Sequence, residues 1–166
     1  MKIVRILGID PGLNCTGYGI IRVAEGLNPQ LFSYGSIKTN ARDSLALRLY
    51  QIFEKITQIV DEYKPDTAAF ESVFYAENVK TAIIMGHARG AAMVAAMSHH
   101  LDLFEYSPRE IKMSVVGNGA ASKEQVNYMV KQILCLKENI KPDDASDALA
   151  TALCHWHRSR FNKMVK

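Results

Sequence analysis

The chain has 166 residues, 48% of them hydrophobic and 22% charged, which suits one globular domain with a substantial core. No apolar run approaches the roughly 20 residues that a membrane-spanning helix needs. The start of the chain reaches Asp10 too soon to form a signal peptide. We therefore expect a single domain over residues 1–166 and a cytoplasmic protein with no membrane partner.

Positive charge is concentrated in the second part of the chain. Residues 1–106 carry 10 Lys and Arg against 11 Asp and Glu, a net charge of −1. Residues 107–166 carry 10 against 6, a net charge of +4. A basic second half indicates a polyanionic partner such as a nucleic acid.

The three cysteines, Cys15, Cys135 and Cys154, are odd in number, widely spaced and without a Cys-x-x-Cys pair. This pattern disfavours both a disulfide framework and zinc binding. A zinc site built from Cys154, His155 and His157 is an alternative, although these three residues fit a C-terminal helix better.

Three strands are predicted at the start of the chain. Residues 3–10 are mostly apolar and end on the carboxylate of Asp10, after which Pro11-Gly12 forces a turn. Residues 16–23 and 31–38 follow as strands, separated by a turn-rich segment. The short connections predict an antiparallel meander with Asp10 at the end of its first strand.

An amphipathic helix is predicted next, because apolar residues recur at steps of three and four from Leu45 to Ile59. Asp43 or Ser44 is its expected N-cap. A short strand over residues 67–71 then ends on a second carboxylate, Glu71. The remaining elements are predicted as a helix over 78–100, a strand over 103–106, and helices over 108–116, 122–136 and 144–163. This order describes an α/β fold in which helices cover both faces of a mixed sheet.

The predicted helix over residues 78–100 is dense in glycine and alanine. Gly86 and Gly90 are four residues apart, which permits close approach of another element. Inside a domain, such spacing usually indicates tight packing against the sheet.

Acidic residues lie where ligands collect in α/β sheets, at strand ends and at a helix N-terminus. Asp10 and Glu71 end strands, and Asp143, Asp144 and Asp147 lie at the start of the last helix. Either Asp143 or Asp144 could be an N-cap that interacts with the helix dipole. Asp147 lies inside the helix and shares a face with Asp144.

Clustered carboxylates repel one another unless they are protonated or neutralised by cations. Hard oxygen ligands without His or Cys favour magnesium or manganese. Two such ions about 3.5–4 Å apart are the apparatus of in-line phosphodiester hydrolysis. The acids therefore predict a metal-dependent nuclease.

The motifs, taken in order, resemble those of the RuvC family over nearly the whole chain except the last dozen residues. They are Gly8-Ile9-Asp10-Pro11-Gly12, Thr16-Gly17-Tyr18-Gly19, Glu71-Ser72-Val73-Phe74, Ala88-Arg89-Gly90, Val115-Val116-Gly117-Asn118-Gly119, Lys123 and Asp144-Ala145-Ser146-Asp147-Ala148-Leu149-Ala150. Gly-x-Asp-x-Gly alone is weak, because sugar kinases and actin-like ATPases share it, whereas the ordered set is specific.

The resemblance implies an RNase H-like sheet, with three antiparallel strands followed by parallel strands. It further implies a homodimeric endodeoxyribonuclease that resolves four-way (Holliday) DNA junctions in recombination and repair. Such an enzyme nicks two strands of like polarity in a pair of cuts, with two Mg²⁺ ions per active site and Mn²⁺ able to substitute. The family also suggests that one face of the helix over residues 78–100 meets the other subunit, which is compatible with packing against the sheet. It further suggests contact with the RuvA–RuvB branch-migration complex.

Site residues follow from the resemblance position by position. It implies that the metal-binding catalytic acids are Asp10, Glu71, Asp144 and Asp147, which leaves Asp143 as the cap. It also implies that Phe74 stacks on a junction base and that Lys112 and Lys123 contact DNA. Without the family motif, Phe74 would be read as a core residue and both lysines as solvated surface residues.

Three other functions are compatible with parts of this pattern. One is an RNase H-like nuclease that acts on structured RNA, and another is an actin-like or sugar-kinase ATP-binding domain. The third is a junction-binding module without catalysis. The motif at Glu71 disfavours the first, the length of 166 residues disfavours the second, and the complete acidic set disfavours the third.

Overall fold

A central five-stranded sheet organises the protein. The computed structural model describes residues 2–72 and 78–164, with side chains described as far as Arg160. The elements of this part of the chain are β1 (Ile3–Asp10), β2 (Cys15–Ala24), β3 (Gln30–Lys38), α1 (Leu45–Tyr63), β4 (Thr67–Glu71), α2 (Val79–Met97), β5 (Asp102–Tyr106), α3 (Pro108–Val116), α4 (Lys123–Ile133) and α5 (Asp143–Met164).

The strands lie in the order β3-β2-β1-β4-β5. β1 pairs antiparallel with β2, which in turn pairs antiparallel with β3. On its other side β1 pairs parallel with β4, and β4 pairs parallel with β5. Three antiparallel strands followed by parallel ones are the predicted RNase H-like arrangement, which the structure confirms.

Both faces of the sheet are covered by helices. Neighbouring residues of β1 point to opposite faces, so they belong to different cores. Ile6 belongs to the core that packs under α3, α4 and α5, whereas Leu7 belongs to the core that packs under α1 and α2. Both side chains are at most 2% exposed. No helix in the described ranges is long and apolar enough to cross a bilayer.

α1 begins and ends with local signals that its sequence carries. The side chain of Ser44, not that of Asp43, caps the helix by accepting a hydrogen bond from the Leu47 amide at 3.3 Å. Lys64 ends it in the left-handed region with φ 47°. Ile52, Ile56 and Ile59 are buried, as their spacing predicts, whereas Leu45 at the start of the same pattern is 40% exposed.

Two helices end earlier than predicted. α4 ends at Ile133 instead of residue 136, and Cys135 adopts a left-handed conformation with φ 53°. α2 ends at Met97 instead of residue 100, and His100 has φ 59°. Neither helix has a glycine at the position that adopts the left-handed conformation. The sequence therefore contains no sign of these ends, and both helices were predicted too long.

The glycines of α2 face away from the sheet, which corrects the packing expected from their spacing. Ala88, Ala92, Ala95 and Ala96 of α2 are fully buried in the core that α2 shares with α1 and the sheet. A Cβ atom built at Gly86 or at Gly90 meets nothing within 4 Å. The glycine face of α2 is therefore open.

α5 lies directly on the first two strands because glycines leave room for its backbone. A Cβ atom at Gly8 would overlap the backbone of Ala148 and Ala152, and one at Gly17 would overlap the backbone at Asp144 and Ala145. These contacts fix the height of the first turns of α5 above the sheet.

We expect Gly8→Ala to destabilise the protein by about 1–3 kcal/mol or more, because the clash is with backbone that cannot rotate away. Urea unfolding of the metal-free protein would measure this change. Gly35→Ala is the matched control. Its Cβ would meet the outer ring atoms of Tyr18, a half-buried side chain that can move, so its cost should be clearly smaller. Equal costs at both positions would contradict the proposed role of Gly8.

Candidate active site

Two carboxylates end adjacent parallel strands on the α5 side of the sheet. The register pairs Ile9 of β1 with Phe70 of β4, so Asp10 and Glu71 are the next residues along neighbouring strands. Asp10 lies opposite Gly17 of β2, and Glu71 lies opposite Tyr106 of β5. Alternation along β1 places Asp10 on the same face as Ile6 and Gly8, which is the face that α5 covers.

Two further carboxylates, those of Asp144 and Asp147 on α5, lie at the same end of the sheet as Asp10 and Glu71, which we call the acidic edge. The backbone of Asp144 lies over Gly17, and that of Ala148 lies over Gly8, so the intervening turn with Asp147 lies close to Asp10. Asp143 is the first residue of the helix, where an acid interacts favourably with the helix dipole. The structure thus brings together all four acids predicted from sequence.

Burial and mutual repulsion raise the pKa values of these acids. The pKa of Asp10 rises to about 7, mainly because the carboxylate is buried and secondarily because Asp147, Glu71 and Asp144 are nearby. Burial, followed by the charge of Asp147, also raises the pKa of Glu71. The pKa of Asp147 is likewise raised by burial, with the neighbouring charge of Asp144 adding to it.

Lys123 is the cation most closely associated with the acids. Its ammonium Nζ lies 3.0 Å from Oδ2 of Asp147 and opposes the rise in the pKa values of Asp10, Glu71 and Asp147. Lys112 of α3 opposes the rise at Glu71. Both lysines predicted from the family motif therefore lie at the acidic edge.

A cavity of about 280 Å³ opens beside the acids. Glu71 and Asp147 lie on it together with both lysines, and its remaining lining is mostly apolar, formed by Pro108, Ile111, Val126 and Ala150. An open cavity with mixed charges and apolar walls suits a ligand that combines phosphate with apolar groups.

The donor set fits a hard divalent cation. It consists of carboxylate oxygens whose repulsion a cation would relieve, and the cavity reaches two of the acids. As placed, no three acidic, His or Cys side chains in the described ranges converge closely enough to hold a metal ion. The four acids thus lie at the same end of the sheet without meeting at one point in the described ranges.

The residues of the alternative zinc site have separate partners. Nδ1 of His155 lies 2.8 Å from the Tyr106 hydroxyl, and Nδ1 of His157 lies 3.0 Å from Oγ of Ser114. The thiol of Cys154 donates to the Glu110 carbonyl at 3.8 Å. These contacts join α5 to β5 and α3 and do not converge on one point.

Sequence reasoning missed the roles of two residues near the acids, Cys15 and Arg48. Cys15 lies beside the Asp144 carboxylate, and burial is the main reason that the pKa of its thiol is raised. Arg48 binds the loop that follows Asp10. The predicted base-stacking residue Phe74 lies outside the described residues. A polar residue on the otherwise apolar face of α1 is the sequence signal that could have revealed Arg48.

The fold and its acidic edge define an RNase H-like nuclease domain. The family model for crossover junction endodeoxyribonuclease RuvC matches residues 6–155. The chain belongs to the RuvC family.

Relatives of this family match the chain over almost its full length. A crossover junction endodeoxyribonuclease RuvC of Alkaliphilus oremlandii is 47% identical, covering 97% of this chain and 98% of that protein. The structure of T. thermophilus RuvC in complex with a Holliday junction substrate is 32% identical with a TM-score of 0.91, covering 96% of each chain. The yeast mitochondrial Holliday junction resolvase, at 15% identity and a TM-score of 0.63 over 98% of this chain and 86% of that one, shares the fold.

Asp10 should make the stability of the metal-free protein depend on pH. The folded state holds the Asp10 proton up to a pKa of about 7, whereas the ordinary value is 3.8. The stability that this group contributes is therefore complete below 3.8 and is lost as the pH rises towards 7. We expect the melting temperature of Asp10→Asn, minus that of the parent, to increase over this range in EDTA.

Thermal melts at matched ionic strength would measure this difference. Asp102→Asn, at an exposed position at the start of β5, is the control, and its difference from the parent should stay nearly constant. A difference for Asp10→Asn that is flat with pH would contradict the burial of a protonated Asp10.

Proposed function

We propose that this chain is a crossover junction endodeoxyribonuclease that resolves four-way DNA junctions by nicking two strands of like polarity. The observation that carries the proposal is the placement of Asp10, Glu71, Asp144 and Asp147 at the same end of the sheet, in a chain of the RuvC family. The junction bound in the T. thermophilus RuvC structure supports this choice of substrate.

The four acids would hold Mg²⁺, with two ions per site and Mn²⁺ able to substitute. When bound, these ions supply positive charge to the phosphoryl oxygens and lower the pKa of the attacking water. The fold determines the positions of the four acids. The strand register positions Asp10 and Glu71, and the packing of α5 against Gly8 and Gly17 positions Asp144 and Asp147.

Positive and aromatic side chains would bind the DNA. Lys112 and Lys123 line the cavity beside the acids and would contact phosphates there. Lys123 is also the first residue of α4, where backbone N–H groups favour an anion. Phe74, three residues after Glu71, would stack on an unpaired junction base. Contact with RuvA–RuvB is proposed from the family alone.

A homodimer would place two such sites on one junction. The open face of α2 supports it, because Ile83, Val94 and Met97 are each more than half exposed and lie along one side with Gly86 and Gly90. Small residues allow a second α2 helix to approach this face closely. Paired cuts at symmetric positions require a closed two-fold assembly, which a self-complementary face provides.

We expect Asp10→Asn and Glu71→Gln to abolish nicking while leaving junction binding largely intact, because each removes metal-ligand charge and little DNA contact. A synthetic four-way junction with both cut strands labelled, incubated with Mg²⁺ or EDTA, measures nicking. Gel shift in EDTA measures binding. Asp102→Asn, at an exposed acid outside the site, should nick at the parental rate.

The same assay tests substrate and assembly. The parent should cut the junction in preference to linear duplex or structured RNA, and both strands should be cut within one binding event. A preference for RNA would favour a nuclease that acts on structured RNA. Full-rate cleavage by Asp10→Asn or Glu71→Gln would show that these acids do not form the active site. Single cuts by an 18.5 kDa monomer would overturn the dimer.

We expect Lys123→Gln to have opposite effects on the two ligands. Without the ammonium at Asp147, the DNA-free protein should bind Mn²⁺ more tightly, by roughly a factor of ten. Junction binding should weaken, and its salt dependence should fall by about one phosphate contact. Mn²⁺ binding is read by electron paramagnetic resonance and junction binding by titration at several salt concentrations.

Lys137→Gln, at an exposed position after α4, is the charge-matched control and should change neither property appreciably. Weaker Mn²⁺ binding in Lys123→Gln would show that Lys123 supports the metal site instead of competing with it.

A further inference from the structure

Arg48 of α1 is a buried cation that has no acidic partner among the described residues. It is 8% exposed, and it forms no ion pair with a carboxylate of the described chain. Burying a guanidinium is costly unless its donors are used. An apolar residue of similar volume at this position would avoid that cost, so the contacts of Arg48 need an explanation beyond filling the core.

The bonds of this guanidinium go to the loop that follows Asp10 and to Thr39, which binds the same loop. Its Nη2 donates to the Leu13 carbonyl at 3.2 Å and to Oδ1 of Asn14 at 2.5 Å. Its Nε donates to Oγ1 of Thr39 at 2.8 Å, and the Thr39 hydroxyl donates to the same Leu13 carbonyl at 2.6 Å. One planar group therefore ties α1 to the loop through two direct bonds and a third that passes through Thr39.

The loop is held from its other side as well. The Thr16 hydroxyl donates to the Gly12 carbonyl at 2.8 Å, and the Gly12 amide donates to Oγ1 of Thr16 at 3.3 Å. The Thr39 amide donates to the Asn14 carbonyl at 3.2 Å. Residues 11–14 are thus hydrogen-bonded on both sides, and these bonds constrain how the chain leaves Asp10.

We propose that Arg48 is a positioning residue for the nuclease reaction, which orients the Asp10 carboxylate by fixing the loop of residues 11–14. The proposal rests on the metal-dependent function proposed above. The action is through the backbone, since the charges that act on Asp10 are those of the other acids and Lys123. The planar guanidinium supplies several donors in a fixed geometry, which a lysine or an apolar side chain cannot reproduce.

The test compares Arg48→Met and Arg48→Lys with Ile56→Val, a small core deletion on the same helix that leaves the loop contacts intact. Four quantities are measured: urea unfolding, junction affinity in EDTA, the single-turnover nicking rate against Mg²⁺ concentration, and Mn²⁺ binding to the DNA-free protein by electron paramagnetic resonance.

We expect Arg48→Met to bind the junction within about twofold of the parent, because Arg48 makes no contact in the DNA-binding cavity. Its Mn²⁺ affinity should fall by about tenfold, as when outer-shell partners of metal ligands are removed. Nicking should slow by roughly 10- to 100-fold and need more Mg²⁺. Arg48→Lys should recover part of both losses, and Ile56→Val should show neither.

Parental metal affinity and Mg²⁺ dependence in Arg48→Met would overturn the proposal, as would losses that Ile56→Val shares at equal stability. If Arg48→Met does not fold, Arg48→Lys and Asn14→Ala carry the same test, because each removes part of the bonding to the loop. If the parent does not nick junctions, the proposed function fails, while Mn²⁺ binding still reports whether Arg48 orders the Asp10 carboxylate.

Discussion

The contact between the backbone of α5 and the glycines of β1 and β2 determines where the rest of the site can stand. An ordinary side chain at Gly8 or Gly17 would lift the helix off the sheet. Asp144 and Asp147 belong to the first turns of that helix, so lifting it would carry both acids away from Asp10. Gly8 and Gly17 thus contribute no side chain to the core, and their absence of a side chain keeps the acids of α5 close to those of the sheet.

That proximity creates an electrostatic problem that the protein answers in three ways. Protonation is one, since the pKa of Asp10 lies at about 7 in the absence of metal. The second is the ion pair of Lys123 with Asp147. Lys123 lies at the N-terminus of α4, where the helix dipole disfavours a cation. Divalent cations are the third in the function proposed here. A lysine kept at the wrong end of a helix suggests that its position serves the site more than the stability of α4.

The sequence was sufficient for the strands, the helices and the two acids that end strands. Alternation and apolar spacing report which residues face the core, and Asp10 and Glu71 follow from the ends of such runs. It was insufficient where the deciding partner is distant in sequence. Nothing near Arg48 shows that its guanidinium reaches Leu13, 35 residues earlier. Gly86 and Gly90 could equally have faced the sheet. Two glycines four residues apart allow another element to approach closely, but they do not identify that element.

The two connections of the antiparallel strands differ in how much change they tolerate. Residues 11–14 are bonded from both sides, whereas residues 25–28 are exposed and turn at Gly26, whose φ is 77°. The second turn lies at the opposite end of β1 from Asp10, about 23 Å away at the usual rise of about 3.3 Å per residue in a strand. A fluorophore or affinity tag attached at this turn would report on the protein in solution while leaving the four acids and the cavity beside them untouched.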